Sequence, residues 1–296
     1  MIKIGPTEEQ ILNTISKSIS EKLDSLGIFN RVFSRIKTKS SIDKKIIQKK
    51  NEYLEKQKKM QDLFGIRVTL YFMDDQEIAI DLVKSLYKEI PNSRSIDQLK
   101  KDQFGPIRQN LVFRIEDSLI ETSSLFDNDF IDSSFEVQFR TVFSEGWHEV
   151  EHDMRYKCKT DWDNEDILYR QLNGQLAVLE TSDWAMLKIF DELAYKKYKT
   201  KEWNSFFRNL LRIRFEDMTF SDSILKILNE DNSIAKDLLK HERTEIVSCL
   251  IILKSKIPLK MDNVLFIINR GILKKEIIHD LESATLRNIL EESFWE

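Results

Sequence analysis

Cysteine, proline and glycine are scarce in this chain, at two, four and seven of 296 residues. Two cysteines, Cys158 and Cys249, lay down no disulfide framework and no Cys-x-x-Cys metal pair, which fits ordinary thiols in a reducing compartment. So little glycine and proline excludes collagen-like and low-complexity classes. No apolar run approaches the length of a membrane span, and residues 1–10 are polar, unlike a signal peptide. The expectation is a cytoplasmic protein without membrane attachment.

What is present is charge and apolar surface: 32% of residues are charged and 41% hydrophobic. At this length the chain can bury one large domain and a smaller one. The net charge of −4 conceals an asymmetry, because residues 31–60 carry eleven Lys/Arg against three acids. Such a local excess suits a phosphate-rich ligand, either nucleotide or nucleic acid, although many Lys-rich stretches are solvated helix faces. From residue 205 onward fourteen basic residues face fifteen acidic ones, so that part carries no nucleic-acid footprint.

The apolar spacing orders the chain. Ile11, Ile15, Ile19, Leu23 and Leu26 predict a helix over 8–28. Ser40 or Ser41 caps a second helix running towards Met60 that buries Ile42, Ile46 or Ile47, and Leu54. Ile66, Val68, Leu70 and Phe72 alternate with polar residues as a strand, and a helix follows over 75–89. Leu111, Phe113 and Ile115 suggest a second strand. Phe135, Val137 and Phe139 suggest a third, with Glu136, Gln138 and Arg140 opposite. A helix from Thr141 is expected to bury Phe143, Trp147, Val150 and Met154, and a long helix covers 165–198. The remainder reads as four to six short helices. The predicted architecture is α+β, a mixed sheet flanked by helices, with a domain at 1–200 and an all-helical one at 201–296.

Three segments supply complementary polar groups. Arg35 and Lys37 point the same way if extended, while Ser41 and Lys45 share a face at a helix start. Free N–H groups, a hydroxyl and several cations there make a phosphate cradle. Asp62 precedes a strand that carries Arg67 on its polar face, and Glu136 occupies the polar face of another. Two carboxylates on neighbouring strands suit Mg²⁺, which takes one or two of them plus phosphate oxygens. Metal, cations and an oriented nucleophile are what phosphoryl transfer requires.

The order Arg-x-Lys-x-x-x-Ser-x-x-x-Lys, Asp-x-x-Gly-x-Arg and Glu-Val-Gln-x-Arg-Thr, leading into Trp147-His-Glu-Val-Glu151-His152, resembles the RelA/SpoT synthetase domain, above all its small stand-alone members. The likeness spans roughly residues 31–160 and implies a nucleotidyltransferase-related fold. It implies that Arg35 and Arg67 sandwich the adenine of ATP and that Lys37, Ser41 and Lys45 bind its phosphates. Asp62 would hold Mg²⁺, and Glu136 would share the metal or act as base. Arg108, Asn110 and Gln138 would line the acceptor side. Where some small synthetases continue the phosphate-binding helix with Arg, this chain has Gln48, and Lys49 or Lys50 is the substitute.

One departure bears on the acceptor. Family members carry Gly-Tyr-Arg-Ser-x-His, whose Tyr stacks on guanine; this chain has Gly105-Pro106-Ile107-Arg108-Gln109-Asn110-Leu111. Stacking is worth about 1–3 kcal/mol, so a guanine loses a main contact unless Phe104 replaces it. The resemblance implies transfer of diphosphate from ATP to a guanosine nucleotide, making a (p)ppGpp-type alarmone. Toxic relatives that modify the 3′ end of tRNA offer a second acceptor, and an inactive nucleotide- or partner-binding protein a third reading. No His-Asp hydrolase constellation precedes the segment, so synthesis without hydrolysis is expected. A protein regulator acting on the C-terminal helices is the remaining expected partner. His148-Glu149-Val150-Glu151-His152 also satisfies the zinc-protease His-Glu-x-x-His pattern. Against it stand the charged Glu151 at an inner position and the lack of an obvious third ligand. His241 and His279 stand alone.

Overall fold

The computed structural model describes residues 4–48, 59–91, 95–96, 109–251 and 257–294. The chain divides into two compact units. One comprises Met1–Glu21, Asn30–Tyr71 and Ala79–Thr181, the other Lys22–Phe29, Phe72–Ile78 and Ser182–Glu296.

The first unit is built on strands β1 (Asn30–Ile36), β2 (Phe64–Leu70), β3 (Ser95–Ile96), β4 (Gln109–Arg114) and β5 (Ser134–Thr141). Among the described residues they form one sheet in the order β1-β2-β5-β4-β3. Only β2 and β5 run parallel; β1–β2, β5–β4 and β4–β3 are antiparallel. Alternation decides which face is core: Phe64, Ile66, Val68, Phe135, Val137 and Phe139 are buried, while Gly65, Arg67, Glu136 and Gln138 lie on the other face, partly open. Phe113 and Phe135 stack at 5.7 Å within that core, and Tyr87 meets Phe135 edge-on at 5.1 Å. Helix α1 (Pro6–Ser25) buries Ile11, Ile15, Ile19 and Leu23 as a single stripe, as the spacing predicts.

Several elements differ from the sequence expectation. β1 is an edge strand whose side chains are mostly exposed, so no apolar alternation announces it. The strand expected to reach Phe72 ends at Leu70, and the helix expected over 75–89 is α3 (Asp75–Leu86). Helix α2 (Lys39–Gln48) buries Ile42, but Ile47 is 75% exposed; its expected continuation through Leu54 lies outside the described residues. After α4 (Asp117–Ile120), helix α5 (Val142–Val150) runs into a π-turn over Glu151–Tyr156. Val150 and Met154, expected inside, are 52% and 63% exposed. The inward stripe is polar: Trp147, His148, Glu151 and Arg155 are buried, and Arg155 donates to Glu151 and to Asn173. Apolar spacing cannot find such a stripe.

Helix α6 (Asp166–Lys199) leads into seven further α-helices among the described residues, rather than four to six. These are α7 (Trp203–Leu211), α8 (Asp222–Glu230), α9 (Ser233–Leu238), α10 (Arg243–Ser248), α11 (Met261–Ile268), α12 (Glu276–His279) and α13 (Ala284–Phe294). Ile246, Leu250, Val264, Leu265, Ile267 and Ile268 are buried there. In this second unit Asp75 is fully buried and receives Arg243 Nη2 at 2.7 Å. Asp74 lies 2.6 Å from Arg212 Nη2 and 3.1 Å from Arg243 Nη1. Gly27 turns with φ +72, where a Cβ would stand 2.6 Å from the Arg214 carbonyl oxygen, so only glycine fits.

Candidate active site

The cradle begins where β1 ends. The Lys37 backbone N–H donates to the Leu63 carbonyl at 2.9 Å, tying the strand end to the segment entering β2. The Thr38 carbonyl then accepts from the Ser41 and Ile42 N–H groups, which starts α2. The hydroxyls of Thr38 and Ser41 lie 2.9 Å apart, exposed, at that helix start. No acid occupies the first turn of α2, so the helix start itself carries no negative charge against an incoming anion.

Asp62 is the electrostatic centre of the group. Its Oδ2 accepts from Lys37 Nζ at 2.5 Å and Lys45 Nζ at 2.6 Å. Burial pushes its pKa up, but the two ammonium groups outweigh that and hold it below the ordinary value. Lys37 is itself lowered, by burial first and by Lys45 beside it, despite Asp62. One carboxylate oxygen thus accepts from two cations that stand beside each other. The other oxygen, Oδ1, is buried without a hydrogen-bond partner.

Glu136 faces the same region from β5, paired in register with Gly65. Burial raises its pKa, the Asp62 charge raises it further, and hydrogen bonds from Asn110 and Gln138 pull it part of the way back. The Asn110 bond is 2.7 Å. Arg67 sits on this face too, but its guanidinium is held by Glu145 and, at 2.5 Å, by Glu149 of α5. Glu145 also accepts from Arg140 at 3.0 Å, and Arg140 donates to Gln138 at 3.1 Å. Glu145 is a site residue that sequence reasoning misses, and Glu149 enters it only through the zinc pattern. Arg35 is exposed on β1 opposite Gly65. A cavity of about 780 Å³ borders Arg35, Lys37, Thr38 and Lys39 on one side and Ile4 and Leu12 on the other.

The sheet thus brings Arg67, Asn110, Glu136 and Gln138 to one face, with Lys37, Ser41, Lys45 and Asp62 at the adjoining strand-to-helix turn. Arg108, Lys49 and Lys50, like Ile107 and Phe104, lie outside the described residues. The His-Glu-x-x-His stretch is dispersed: His148 is buried, Glu149 is engaged by Arg67, and His152 pairs with Asp153 at 2.8 Å. Among the described residues no three His, Cys, Asp or Glu are grouped to hold a metal. A cation at Asp62 and Glu136 would therefore complete its shell with substrate oxygens and water, as Mg²⁺ commonly does. The unpartnered Asp62 Oδ1 and the mutual repulsion of the two carboxylates fit that role.

Carboxylates beside cations at a helix start, on the polar face of a mixed sheet, are the kinds of group that phosphoryl transfer requires. Residues 34–161, somewhat under half of the chain, match the family model described as the region found in RelA / SpoT proteins. That stretch is similar to the region that RelA and SpoT proteins share. Comparison with curated proteins gives no match. Among solved structures, the chain is similar to the small alarmone synthetase 2 from Bacillus subtilis. Identity is 20%, covering 62% of this chain and 92% of that one, with TM-score 0.47. It is also similar to a GTP pyrophosphokinase family protein from Streptococcus pneumoniae, at 20% identity, 64% and 95% coverage and TM-score 0.43. A third is the B. subtilis small alarmone synthetase 1 bound to its product pppGpp, at 20% identity, 62% and 95% coverage and TM-score 0.43. Among the described residues no helix is long and apolar enough to cross a membrane.

Proposed function

We propose that the protein moves the β,γ-diphosphate of ATP to a ribose 3′-hydroxyl, releasing AMP, with a guanosine nucleotide as acceptor. The observation that carries this reading is the pairing of Asp62, bearing two lysines and an unpartnered buried oxygen, with a second, half-buried carboxylate, Glu136. Lys37 and Lys45 turn from Asp62 to the donor phosphates, helped by the exposed Ser41 hydroxyl. Asp62 and Glu136 would hold Mg²⁺, which supplies charge neutralisation on the phosphate oxygens. Glu136 takes the proton of the acceptor hydroxyl. Its raised pKa brings it nearer the range where a carboxylate is an effective base. The acceptor oxygen bonds to the β-phosphorus as the bond from that phosphorus to the α,β-bridging oxygen breaks, and AMP departs with that oxygen. Asn110 and Gln138 orient Glu136 from either side.

The substitution of Ile107 for an aromatic supports a second acceptor, the 3′ end of tRNA, where a free guanine need not be gripped. Incubation with γ-labelled ATP and Mg²⁺ against GTP, GDP or bulk tRNA, in separate reactions, distinguishes the two. Label in a guanosine product supports the first acceptor and label only in tRNA the second. Transfer to none of them refutes the diphosphotransferase reading.

A further inference from the structure

In the second unit a π-turn over Asn269–Leu273 ends α11, and Lys274 follows with φ +53. A side chain with a Cβ disfavours this left-handed region, so the surroundings must hold Lys274 there. Asn269, 2% exposed, does so. Its side chain donates to the Lys275 carbonyl at 3.0 Å and accepts from the Lys275 N–H at 2.8 Å. Its own carbonyl accepts from the Lys274 N–H at 2.8 Å. Two consecutive lysines are thereby fixed beside a cavity of about 310 Å³ that Arg270, Glu276 and His279 also border.

Glu282, whose side chain is fully buried, supports two of these residues. It accepts from Arg270 Nε at 3.0 Å and Nη2 at 2.6 Å, and lies 2.9 Å from His279 Nδ1. A carboxylate so placed fixes the planes of the guanidinium and the imidazole. It leaves Arg270 Nη1 and His279 Nε2 uncommitted among the described residues. The same carboxylate is 3.9 Å from Arg287 Nε, which is buried without a hydrogen-bond partner. Lys275 pairs with Asp237 at 2.7 Å. Lys274 is exposed and has neither hydrogen bond nor ion pair among the described residues. Glu276 and Glu291, the latter 3.9 Å from Arg270 Nη2, oppose an anion, but both are exposed and screened by water and salt.

We propose that this cavity is a phosphate site, taking inorganic phosphate or a phosphate monoester through Lys274, Arg270 and His279. The inference is independent of the donor and acceptor readings given above. A phosphate group accepts from several donors at once, and a guanidinium matches its oxygens; a carboxylate offers only two oxygens. The cavity stands at the lower end of the size range for small-molecule sites, which suits a phosphate on a small body and not a nucleotide.

The test is calorimetric titration of the full chain with inorganic phosphate and, separately, with glycerol phosphate, both in metal-free buffer. Lys37→Ala and Lys45→Ala together remove the active-site lysines and are expected to leave this binding event in place. In that background Lys274→Gly should weaken both ligands about tenfold or more, the effect of losing one charge-assisted bond. In the otherwise unaltered chain Lys274→Gly should remove the same event. Glycine adopts positive φ without strain, so the melting temperature should hold or rise, which separates lost binding from misfolding. Lys274→Arg should restore the affinity. Tighter binding of glycerol phosphate marks a phosphorylated metabolite as the ligand and equal binding marks free phosphate; both support the site. Phosphate affinity that Lys274→Gly leaves unchanged overturns it. So does acetate that binds as tightly as phosphate, or phosphate binding that disappears with Lys37 and Lys45.

Discussion

Asp62→Asn separates two tasks that one side chain combines. Asp62 Oδ2 holds Lys37 and Lys45 at 2.5 and 2.6 Å. A triphosphate would compete with Asp62 for those lysines. Charge-assisted hydrogen bonds contribute about 1.5–3 kcal/mol each. Side-chain exposures of 22–28%, together with the sharing of one oxygen, place this pair towards the low end. The two contacts sum to about 3 kcal/mol, and because Asn keeps a neutral acceptor there its substitution relieves roughly half of that, about 1.5 kcal/mol, close to tenfold in affinity. The expected outcome is that Asp62→Asn binds tripolyphosphate in EDTA about tenfold more tightly than wild type. With Mg²⁺ present, diphosphate transfer should fall by about a hundredfold or more, the scale seen when one preorganised charge-stabilising group is lost. Calorimetry in EDTA and a radiolabel transfer assay read the two effects. Metal-free binding that is unchanged or weaker in Asp62→Asn would refute the view that Asp62 and phosphate compete for the same lysines.

Glu136→Gln should abolish transfer while leaving binding of α,β-methylene-ATP intact. Because the Glu136 pKa is raised by burial and by Asp62, the rate should fall with decreasing pH earlier than for an ordinary glutamate. Asn110→Ala, which removes a bond favouring the ionised form, should move that acidic limb further up. In the second unit, Arg243→Leu leaves Asp75 buried beside Asp74 without its main cation, and should cost about 3–5 kcal/mol in chemical denaturation. Asp75 is raised to about 6 by burial. Its folded form keeps the proton that the unfolded chain releases, so its contribution is fullest below pH 4 and declines as pH rises to 6. The stability difference between wild type and Asp75→Asn should track that decline. Glu145→Gln removes a largely buried carboxylate shared by Arg67 and Arg140 and should destabilise the protein by more than Glu149→Gln, whose side chain is half exposed.

The elements legible in the sequence are those whose burial follows a simple period. Helix α1 shows its stripe of isoleucines, and β2 and β5 show their alternation, which also assigns Arg67, Glu136 and Gln138 to one sheet face. β1 is not legible: an edge strand with Arg31, Phe33, Ser34 and Arg35 exposed has no core side to advertise. Helix α5 misleads for the opposite reason, since its buried stripe carries His148, Glu151 and Arg155 and its surface carries Val150 and Met154. The partners of Arg67 are invisible too, because Glu145 and Glu149 lie 78 and 82 residues away in sequence. Long-range charge pairing leaves no local pattern. Only the register that sets β2 beside β5, with α5 following directly, brings those carboxylates over Arg67.

That pairing gives the site a common property. Lys37 and Lys45 rest on Asp62, and Arg67 and Arg140 on Glu145. The polar face is therefore partly neutralised by its own carboxylates, which limits the cost of holding so many cations in one half-buried place. On the proposed function, the same arrangement couples the two ligands. A divalent cation on Asp62 would compete electrostatically with the two lysines for the carboxylate charge, and a triphosphate would compete with Asp62 for the lysines. A triphosphate that draws the lysines away leaves Asp62 with excess negative charge, while a cation on Asp62 releases the lysines. Each ligand thereby lowers the cost of binding the other, and by linkage the gain is the same in either order. On the proposed function the site would favour the metal–nucleotide complex over either part alone, with Asp62, the carboxylate that holds the lysines, as the means of that preference.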